Sequence, residues 1–524
     1  MAKLSADKII IILTVISATL LELIDTSIVN VALNQMMGNL GASFEEIGWV
    51  ITSYAISNII MITLSGWLSA KFGRKYYFAS SIALFTVGSI LCGTSTNIWE
   101  LVFFRFVQGI GGGGLISTSQ AILIDTFEKE DLPIAMAIFG LGVIVGPTVG
   151  PTLGGYITDV ASWQWIFFVN VPFGIIATIL SLTYIVEPKD KITTGKMDWF
   201  GLALLVSAIF SLQIVLERGQ SEDWFQTRYI TVCAVLGIAS IVGFIWRMLT
   251  VKDPIVHLTL FKNRAFATGT VFNLIVGFGL FGSTLIIPVY CQNLLGLSAM
   301  QAGLVMLPGS LATAVTMPSI GMLVRKKLIH PAFYTGIGLI LFFGCCFMLS
   351  RLNTDAGEMD FFWPLILRGV GMAMIFTPLN TMTVATLEGR EIPQGTSLNN
   401  MVRQLGGSAG IALITTYIAV SNAQRYSDLS ANINTGSTPF QERLNMLTGA
   451  FVAKGYALHD AASAAYTAIQ GTLYKQATML TYDLVFLYLG CFFVVILPLL
   501  LLFRTNKVIV RTPEEEEMIA EGAH

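Results

Sequence analysis

Charged residues are scarce in this chain: they occupy 12% of its 524 positions, while 54% of positions are hydrophobic. Soluble globular domains carry charge on about 25% of their residues, so the composition excludes that class. Apolar runs of the length that a membrane helix needs, about 18 residues or more, recur along the chain instead. The composition therefore predicts a polytopic helical membrane protein.

Other residues that define common functional classes are rare or occur in unsuitable places. The net charge of −2 leaves no basic surplus for binding nucleic acid. All six cysteines fall in apolar segments, so neither a disulfide framework nor a zinc spacing is predicted. The four histidines lie in connections, at a span edge or at the end of the chain. Proton handling inside the membrane must therefore rest on carboxyl groups.

Apolar runs suited to crossing a bilayer number fourteen in this sequence. They lie at about residues 9–36, 46–70, 77–95, 99–124, 133–157, 164–186, 199–217, 229–250, 266–291, 299–324, 331–350, 361–387, 397–420 and 483–503. The first run is too long for a signal-peptide core and is expected to be an uncleaved span. Most Lys and Arg residues lie on one side if both ends are cytoplasmic. The predicted fold class is an all-α polytopic membrane protein with 14 transmembrane helices and cytoplasmic N and C termini.

Two short echoes indicate an internal repeat. Gly66-Trp67-Leu68-Ser69 is echoed by Gly321-Met322-Leu323-Val324 at an offset of 255 residues. Gln108-Gly109-Ile110-Gly111 is echoed by Arg368-Gly369-Val370-Gly371 at an offset of 260 residues. Because the offsets are nearly equal, they map the first six spans onto the last six and leave spans seven and eight as an insert.

This repeat predicts three parts. They are an N-terminal six-helix bundle over 1–186, a linker with two inserted helices over 187–264, and a C-terminal six-helix bundle over 265–524. The last part includes an extracytoplasmic loop over 421–482 and a cytoplasmic tail over 504–524. Within the loop, Thr438-Pro439-Phe440-Gln441 predicts a helix start with a capping box, and Asp460 is expected to cap a second helix that runs to Met479.

Two carboxyl groups lie deep inside the first span. Glu22 and Asp25 follow Ile9 by about 20 to 24 Å of helix, well inside the hydrocarbon layer. An acid at that depth costs about 2.5 to 3.5 kcal/mol on insertion scales, which is why such residues are usually functional. Spaced three apart, they are expected to share one helix face and one protein-lined cavity, where they can relay protons. The alternative is a structural role, with hydrogen bonds to Thr26, Asn30 or a backbone carbonyl.

Arg105 is a cation within span four and needs an acidic or carbonyl partner, for which Asp25 and Glu22 are the candidates. An arginine that is displaced when the carboxyl is protonated would act as a switch, whereas a permanent ion pair would be structural. The segment Gly109–Gly114 formally matches a nucleotide-binding GxGxxG pattern, but no strand precedes it. These glycines are instead expected to let span four bend and pack.

Small residues dominate one stretch of span five: Gly142, Gly146, Pro147, Gly150, Pro151, Gly154 and Gly155. Glycines at every fourth position form a stripe that another helix can approach closely, and prolines weaken the backbone ladder. Generic tight packing explains one such pair, whereas three linked pairs with two prolines predict an interface that bends or rocks. Aromatic residues of span nine, Phe272, Phe278 and Phe281, either line an apolar cavity or pack in the ordinary way.

These motifs together resemble the major facilitator superfamily. The basic turn Gly66–Lys75, with Gly66, Gly73 and Arg74, is similar to its cytoplasmic loop motif, and Arg105 with Gln108-Gly109 resembles its span-four motif. The stretch Gly142–Gly155 is similar to the antiporter motif of proton-coupled drug exporters. Leu23–Leu33 resembles the first-span signature of the fourteen-span drug:H+ antiporters of the EmrB/QacA type.

Further marks of that type occur at Trp163–Gly174, Leu216–Gly219, Asp223–Phe225, Tyr290–Gly303 and Val402–Gly407. The resemblance covers nearly the whole chain, and the end of the outer loop, residues 476–483, is similar to the EmrB-like branch. Two departures stand out. Ala70 occupies a position where the loop motif often has an acid that closes a cytoplasmic charge relay. Glu22 is an acid where many relatives have none, which suggests cationic substrates or a second protonation site.

The resemblance implies a major facilitator fold of six, two and six helices in the inner membrane. It implies a proton-coupled multidrug efflux antiporter that exports amphipathic, hydrophobic or cationic compounds by alternating access, with a proton gradient and no cofactor or metal. Proton coupling is expected at Asp25, Glu22 and Arg105, and substrate binding at Asn30, Gln108, Phe281 and Asn380. The EmrB-like branch further implies a periplasmic adaptor and an outer-membrane channel as partners.

Other functions stay open at this point. An exporter of a dedicated metabolite, such as a lipid, fatty acid or siderophore, fits the same features, and so does a receptor or scaffold that transports nothing. An intramembrane enzyme would need a nucleophile and a base, or a metal set, within the spans, and no such spacing is present in the sequence. No enzymatic activity is therefore expected.

Overall fold

The computed structural model describes residues 6–503 except 129, 188–197, 252–253, 327–328, 355, 386, 388 and 390. Over these residues every regular element is helical, and fourteen helical segments are long and apolar enough to cross a membrane. The predicted number of spans is therefore confirmed. The expected basic linker, with Lys189, Lys191 and Lys196, and the tail over 504–524 lie outside the described residues.

In chain order the α-helices are α1 Ala6–Leu40, α2 Phe44–Phe72, α3 Arg74–Thr94, α4 Ile98–Gly112, α5 Leu115–Thr126, α6 Leu132–Val160, α7 Trp165–Phe168, α8 Asn170–Tyr184, α9 Trp199–Arg218, α10 Arg228–Thr250, α11 Arg264–Leu295, α12 Ala299–Arg325, α13 Pro331–Leu349, α14 Phe362–Val384, α15 Glu391–Ala431, α16 Thr438–Ala453 and α17 Leu458–Val495. Short 3-10 helices lie at Trp224–Gln226, Leu258–Lys262, Glu358–Phe361 and Leu497–Phe503. The fourth span consists of α4 and α5, and the sixth of α7 and α8.

Local sequence explains where several helices begin and break. Capping boxes start α2, through Ser43 and Glu46, and α12, through Ser298 and Gln301. The fourth span breaks between α4 and α5 at the glycine run, which confirms the predicted bend. A Cβ at Gly111 would meet the backbone of α3, so these glycines also allow α4 to pack tightly on that helix.

The outer segment 421–482 differs from the expected loop. Helix α15 continues past the predicted span to Ala431, and α17 begins at Leu458 and runs without a break into the last span. The sequence between residues 411 and 431 contains no Gly or Pro, so nothing stops the helix at the membrane surface. Asp460 lies in the first turn of α17 rather than at its cap, and α16 starts after Ser437 without a capping hydrogen bond.

Helices pack within the two predicted bundles, called the first and second half below, and across the boundary between them. Helix α1 packs on α6, and α2 and α3 pack on α4, while α11 packs on α15 and α14 packs on both α12 and α13. Across the boundary, α6 lies along α12, and α15 lies against α2 and α5. The α9–α10 pair packs mainly on itself, and α9 also contacts α2 and α15.

The cytoplasmic ends of the two halves are in direct contact. The Ser397 hydroxyl of α15 donates to the Ile62 carbonyl and lies 3.0 Å from the Thr63 carbonyl oxygen, both on α2. Arg325 at the end of α12 pairs with Asp131, which precedes α6, at 2.8 Å. These contacts close the cytoplasmic side of the boundary.

Toward the outer side, α9 bridges α2 and α15. The Gln213 amide donates to the Ser408 hydroxyl of α15 at 3.0 Å. One helical turn later, the Arg218 guanidinium lies 5.2 Å from the ring centre of Trp49 on α2. The α9–α10 pair, the predicted insert, therefore contacts helices of both predicted bundles.

Candidate functional site

Asp25 is completely buried and lies in a network of polar side chains from three other helices. One carboxylate oxygen, Oδ2, accepts from the Arg105 guanidinium at 2.6 Å. The other, Oδ1, accepts from the side-chain amides of Gln108 at 2.9 Å and Asn170 at 3.0 Å. Ser89 accepts from both amides at 3.2 Å and fixes their orientation. The network supplies the partners that a charge at this depth requires.

Arg105 is equally enclosed. Its guanidinium donates to the Gln108 side-chain oxygen at 2.7 Å and to the Val50 carbonyl at 3.4 Å. The Tyr54 ring lies over the guanidinium at 4.1 Å from its centre, which adds a cation–π contact. Of the two candidate partners for this arginine, the structure therefore pairs it with Asp25. If Asp25 were protonated, the Gln108 oxygen, the Val50 carbonyl and the Tyr54 ring would still contact the Arg105 guanidinium. Asp25 can therefore gain or lose a proton without leaving Arg105 wholly without partners.

Glu22 lies in different surroundings. Its Oε1 accepts from the Asn58 amide of α2 at 2.9 Å, and its Oε2 is buried without a hydrogen-bond partner among the described residues. Glu22 also interacts electrostatically with Arg403 of α15, which belongs to the other half. Glu22 therefore faces the boundary between the halves, whereas Asp25 lies inside the first half.

The expectation that both acids look into one cavity is therefore wrong for the conformation described here. Residues three apart on an α-helix differ by about 60° in direction, which is small enough to share a face and large enough to enter neighbouring crevices. Tyr54 and Asn58, one turn apart on α2, lie between the two carboxyl groups, and their side chains approach each other at 3.5 Å. The acids are thus separate sites joined by a short polar contact.

The glycine stripe of α6 packs against α1, the helix that carries both acids. A Cβ at Gly146 would lie 2.8 Å from Leu23 Cβ, and a Cβ at Gly154 would lie 3.0 Å from the Ile28 carbonyl oxygen. Such distances leave no room for a side chain, so the stripe sets the spacing between α1 and α6. The other stripe residues, Pro147, Pro151 and Gly155, lie within the same stretch of α6.

The opposite side of α6 packs on α12 of the second half. A Cβ at Gly321 of α12 would lie 2.8 Å from Ala137 Cβ and 2.9 Å from the Pro133 carbonyl oxygen. Helix α6 therefore touches α1 on one side and the second half on the other.

The cytoplasmic loop motif is held by acids from elsewhere in the chain. Gly73 has φ +88, a left-handed conformation that favours glycine, at the turn between α2 and α3. The Glu187 carboxylate accepts from the backbone N–H groups of Arg74 at 2.9 Å and Lys75 at 3.1 Å, and so caps α3. The Arg74 side chain pairs with Asp125 of α5. These contacts fix the turn between α2 and α3 without an acid at position 70; whether they act as a charge relay stays a prediction.

Gly66 of the same motif lies where α2 crosses α15. A Cβ there would lie 2.8 Å from the Pro393 carbonyl oxygen and 2.9 Å from the Gln394 Cα. We expect Gly66→Ala to push the cytoplasmic ends of α2 and α15 apart, because both contacts are backbone atoms that cannot rotate away. Thiol labelling of a cysteine introduced at Ser397 should then become faster, since that residue loses its cover.

The control for this prediction is Gly344→Ala in α13, where the nearest atom to the added Cβ is a Leu367 methyl at 3.9 Å. Labelling of the same cysteine should stay at the parental rate in that variant. An equal labelling rate with and without Gly66→Ala would show that the contact does not hold the cytoplasmic side closed.

Comparison with known proteins assigns the architecture. Residues 15–411 match the family model described as Major Facilitator Superfamily. The chain belongs to that superfamily. The likeness of its motifs to the superfamily, noted from the sequence, is therefore confirmed, and with it the predicted fold class.

Two similar proteins and one solved structure illustrate the relationship. The multidrug export protein EmrB of Escherichia coli (strain K12) is 34% identical over 85% of this chain and 86% of EmrB. The fatty acid resistance protein FarB of Neisseria gonorrhoeae is 31% identical over 93% of this chain and 94% of FarB. The crystal structure of the human organic anion transporter MFSD10 (TETRAN) covers 94% of this chain and 100% of its own, with a TM-score of 0.55 and 13% identity. This last likeness shows the fold alone.

The four candidate substrate residues lie in different places within this major facilitator fold. Gln108 is fully buried in the Asp25 network, so it is not free to contact a substrate in this conformation. Asn30 is exposed toward the outer end of α1, and Phe281 of α11 packs against Gly407 of α15. Asn380 is fully buried, with its side-chain oxygen unpartnered among the described residues. Of the four, Asn380 has the clearest unused polar atom.

Sequence reasoning missed several members of the superfamily site. Asn170 and Ser89 complete the Asp25 network, and Asn58 binds Glu22. Each is a polar residue inside an apolar span, and that signal was available in the sequence. What the sequence lacked was the pairing of α3, α4 and α8 around α1, which brings these residues to one carboxylate.

Proposed function

We propose that this protein is a proton-coupled efflux antiporter that exports amphipathic, hydrophobic or cationic compounds by alternating access. The buried Asp25–Arg105 pair carries the proposal, because it places a carboxyl that can take up a proton beside a cation that responds to the charge. The similarity to the multidrug export protein EmrB supports the class of substrate. No cofactor is needed, since the proton gradient supplies the energy.

Proton binding and substrate binding compete because each favours a different position of the first half relative to the second. Protonation of Asp25 from the outside removes the negative charge that holds Arg105, and release to the cytoplasm restores it. Gln108 and Asn170 orient the carboxyl, and Glu22 offers a second protonation site or a contact for cationic substrates at the boundary. One proton moving down about 150 mV supplies roughly 3.5 kcal/mol, enough for a gradient of about 300-fold.

Helix α6, which lies between α1 and α12, transmits the change at Asp25 to the second half. Because α6 touches α1 and α12 on opposite sides, a shift of α1 about Asp25 changes the contact surface of the second half. The proposed halves are the bundles over residues 1–186 and 265–524, with 187–264 as the inserted linker and helix pair. The loop-motif contacts of Arg74 and the Ser397 contacts must break when the cytoplasmic side opens.

The proposed location is the inner membrane, with the long ends of α15 and α17 facing the periplasm. Helix α15 alone, with 41 residues, is about 60 Å long, twice the thickness of the hydrocarbon layer. The hairpin of α15, α16 and α17 therefore offers a projecting surface on which a periplasmic adaptor, linked to an outer-membrane channel, would dock. Removal of α16 would test this, because adaptor capture should be lost while the spans remain.

Proteoliposome transport tests the proposed function directly. With purified protein and an imposed pH gradient, a fluorescent cationic amphiphile should move against its concentration gradient, and its movement should produce a counterflow of protons that a pH-sensitive dye detects. A receptor or scaffold would produce neither signal. Substrate movement without proton movement would reject coupling while leaving transport in place.

A second candidate is export of a dedicated metabolite such as a fatty acid. The similarity to the fatty acid resistance protein FarB favours this alternative. Profiling a deletion strain against drugs and fatty acids separates the two, since a dedicated exporter protects against one chemical class and a multidrug exporter against several.

A further inference from the structure

Five of the described arginines are buried in spans; Arg74 and Arg218 lie at helix ends, and the other three lie deep inside and differ in how they are partnered. Arg105 pairs with Asp25. Arg368 donates to the hydroxyls of Ser283 at 3.1 Å and Thr284 at 2.7 Å. Arg403 of α15 is 3% exposed, and its Nη1 has no hydrogen-bond partner among the described residues. A buried guanidinium with an unused donor is costly unless a ligand or a moving part of the protein completes it.

Asn399 lies one turn before Arg403 on the same face of α15. It is fully buried, and neither its side-chain nitrogen nor its oxygen has a partner within the described part of the chain. Across from it, the Phe376 ring of α14 lies 5.4 Å from the Arg403 guanidinium. That contact brings α14 next to Arg403, and Asn380 lies one turn after Phe376 on α14.

The donors of this cluster are confined to Arg403 and Asn399. The Asn380 amide nitrogen already donates to the Phe376 carbonyl at 3.0 Å, so only its oxygen is unused. Guanidinium and carboxamide N–H groups match the two oxygens of a carboxylate, and the aromatic ring beside them suits an apolar chain. Arg403 Nη1 and the Asn399 amide nitrogen are therefore the two unused donors that the headgroup of an amphiphilic anion would need, while the Asn399 and Asn380 oxygens remain as acceptors beside them.

We propose that Arg403 and Asn399 bind the carboxylate of an amphiphilic monoanion at the boundary between the halves. This inference rests on the proposed efflux function, for which it names a substrate class and a subsite. Glu22, the acid of the first bundle that interacts electrostatically with Arg403, faces the same boundary. A substrate carboxylate competes with Glu22 for Arg403, whereas a cationic amphiphile pairs with Glu22 itself.

A matched pair of probes tests the site: dodecanoate and dodecyltrimethylammonium, which share a chain length and differ in the sign of the headgroup. Binding of each to the full chain in nanodiscs is measured at one fixed pH, below the micelle concentration. Arg403→Gln should weaken dodecanoate binding about 10- to 100-fold, as expected for loss of hydrogen bonds to a charged group, without weakening binding of the cation. Glu22→Gln should do the reverse, weakening the cation and strengthening the anion.

Two further variants keep the test decisive. Arg368→Gln removes another buried cation of the second half and should leave the ratio of the two affinities unchanged. Asn399→Ala should weaken dodecanoate binding severalfold, and it provides the measurement if Arg403→Gln does not fold. Retained binding of the cation reports that each variant is folded.

The outcomes separate this site from the transport proposal. Equal loss of both probes in Arg403→Gln, unchanged dodecanoate binding in Arg403→Gln and Asn399→Ala, or a wild type that binds only the cation would each overturn the anion site. Binding in nanodiscs requires no gradient, so the opposite effects of Arg403→Gln and Glu22→Gln on the two probes can be observed without transport. If these effects appear but proteoliposomes show no coupled efflux, only the proposed function is rejected.

Discussion

Asp25→Asn is expected to abolish coupled efflux in proteoliposomes. The asparagine cannot gain or lose a proton, so a gradient that one proton could sustain at about 300-fold should fall to no accumulation. Its amide also replaces one acceptor by a donor, which then faces either the Arg105 guanidinium or the Gln108 and Asn170 amides. Substrate efflux and proton counterflow, recorded in the same vesicles, measure the effect.

The same substitution should also lower stability. Removing one partner of a buried ion pair costs about 3 to 5 kcal/mol when the remaining charge is left uncompensated. Here Arg105 keeps the Gln108 side-chain oxygen and the Tyr54 ring, so we expect a lower melting temperature but a folded chain. Binding of a cationic amphiphile to the variant checks that folding is retained.

Asp159→Asn is the matched control, since Asp159 is an exposed acid at the outer end of α6. It should keep both efflux and proton counterflow. If Asp25→Asn sustains the same substrate gradient with the same dependence on pH as the parent, Asp25 is not the coupling group, and Glu22 becomes the acid to test by Glu22→Gln.

The sequence was sufficient to predict the number and approximate extent of the spans. An apolar run must form a helix in hydrocarbon because its backbone groups have no other partner there, so its length and composition are enough to predict a span. The rule fails where helices leave the membrane. Helix α15 continues into water because no Gly or Pro interrupts it near the surface, and α17 runs through Gly471 into the last span; hydropathy registers neither extension.

The candidate site could be predicted only in part for a related reason. Burial depth identified Glu22, Asp25 and Arg105, since a charge inside an apolar run is visible in the sequence. Which crevice each side chain enters depends on the helices packed around α1, and this cannot be obtained from spacing alone. The loop motif shows the same limit, because Arg74 of this motif pairs with Asp125, an acid from a distant part of the chain.

Gly150→Ala is expected to have the second large effect. A Cβ at Gly150 would lie 2.9 Å from Ser27 Cβ and 3.1 Å from the Ile24 carbonyl oxygen, both one turn or less from Asp25 on α1. These atoms move only with the helix, so α1 must shift away from α6. Overpacking of this kind costs about 1 to 3 kcal/mol, which corresponds to about a 5- to 150-fold change in the balance between two conformations. Initial efflux rates and melting temperature measure the two consequences.

Gly142→Ala is the internal control on the same stripe. The nearest atom to a Cβ there is Ile16 Cγ2 at 3.6 Å, an ordinary contact, and alanine favours the helix by about 1 kcal/mol over glycine. This variant should therefore be at least as stable as the parent and should transport at a similar rate.

The pair of variants also separates two roles for the stripe. If close approach of α1 is what matters, Gly150→Ala should be harmful, Gly142→Ala harmless, and Ser27→Gly should partly rescue Gly150→Ala by removing the contacting Cβ. If the glycines serve instead to keep α6 bendable, both alanines should slow efflux, because each stiffens the helix, and Ser27→Gly should give no rescue. The distances favour the first outcome, since they shorten from Gly142 to Gly150 along the stretch that packs on Leu23 to Ser27, the part of α1 that carries Asp25.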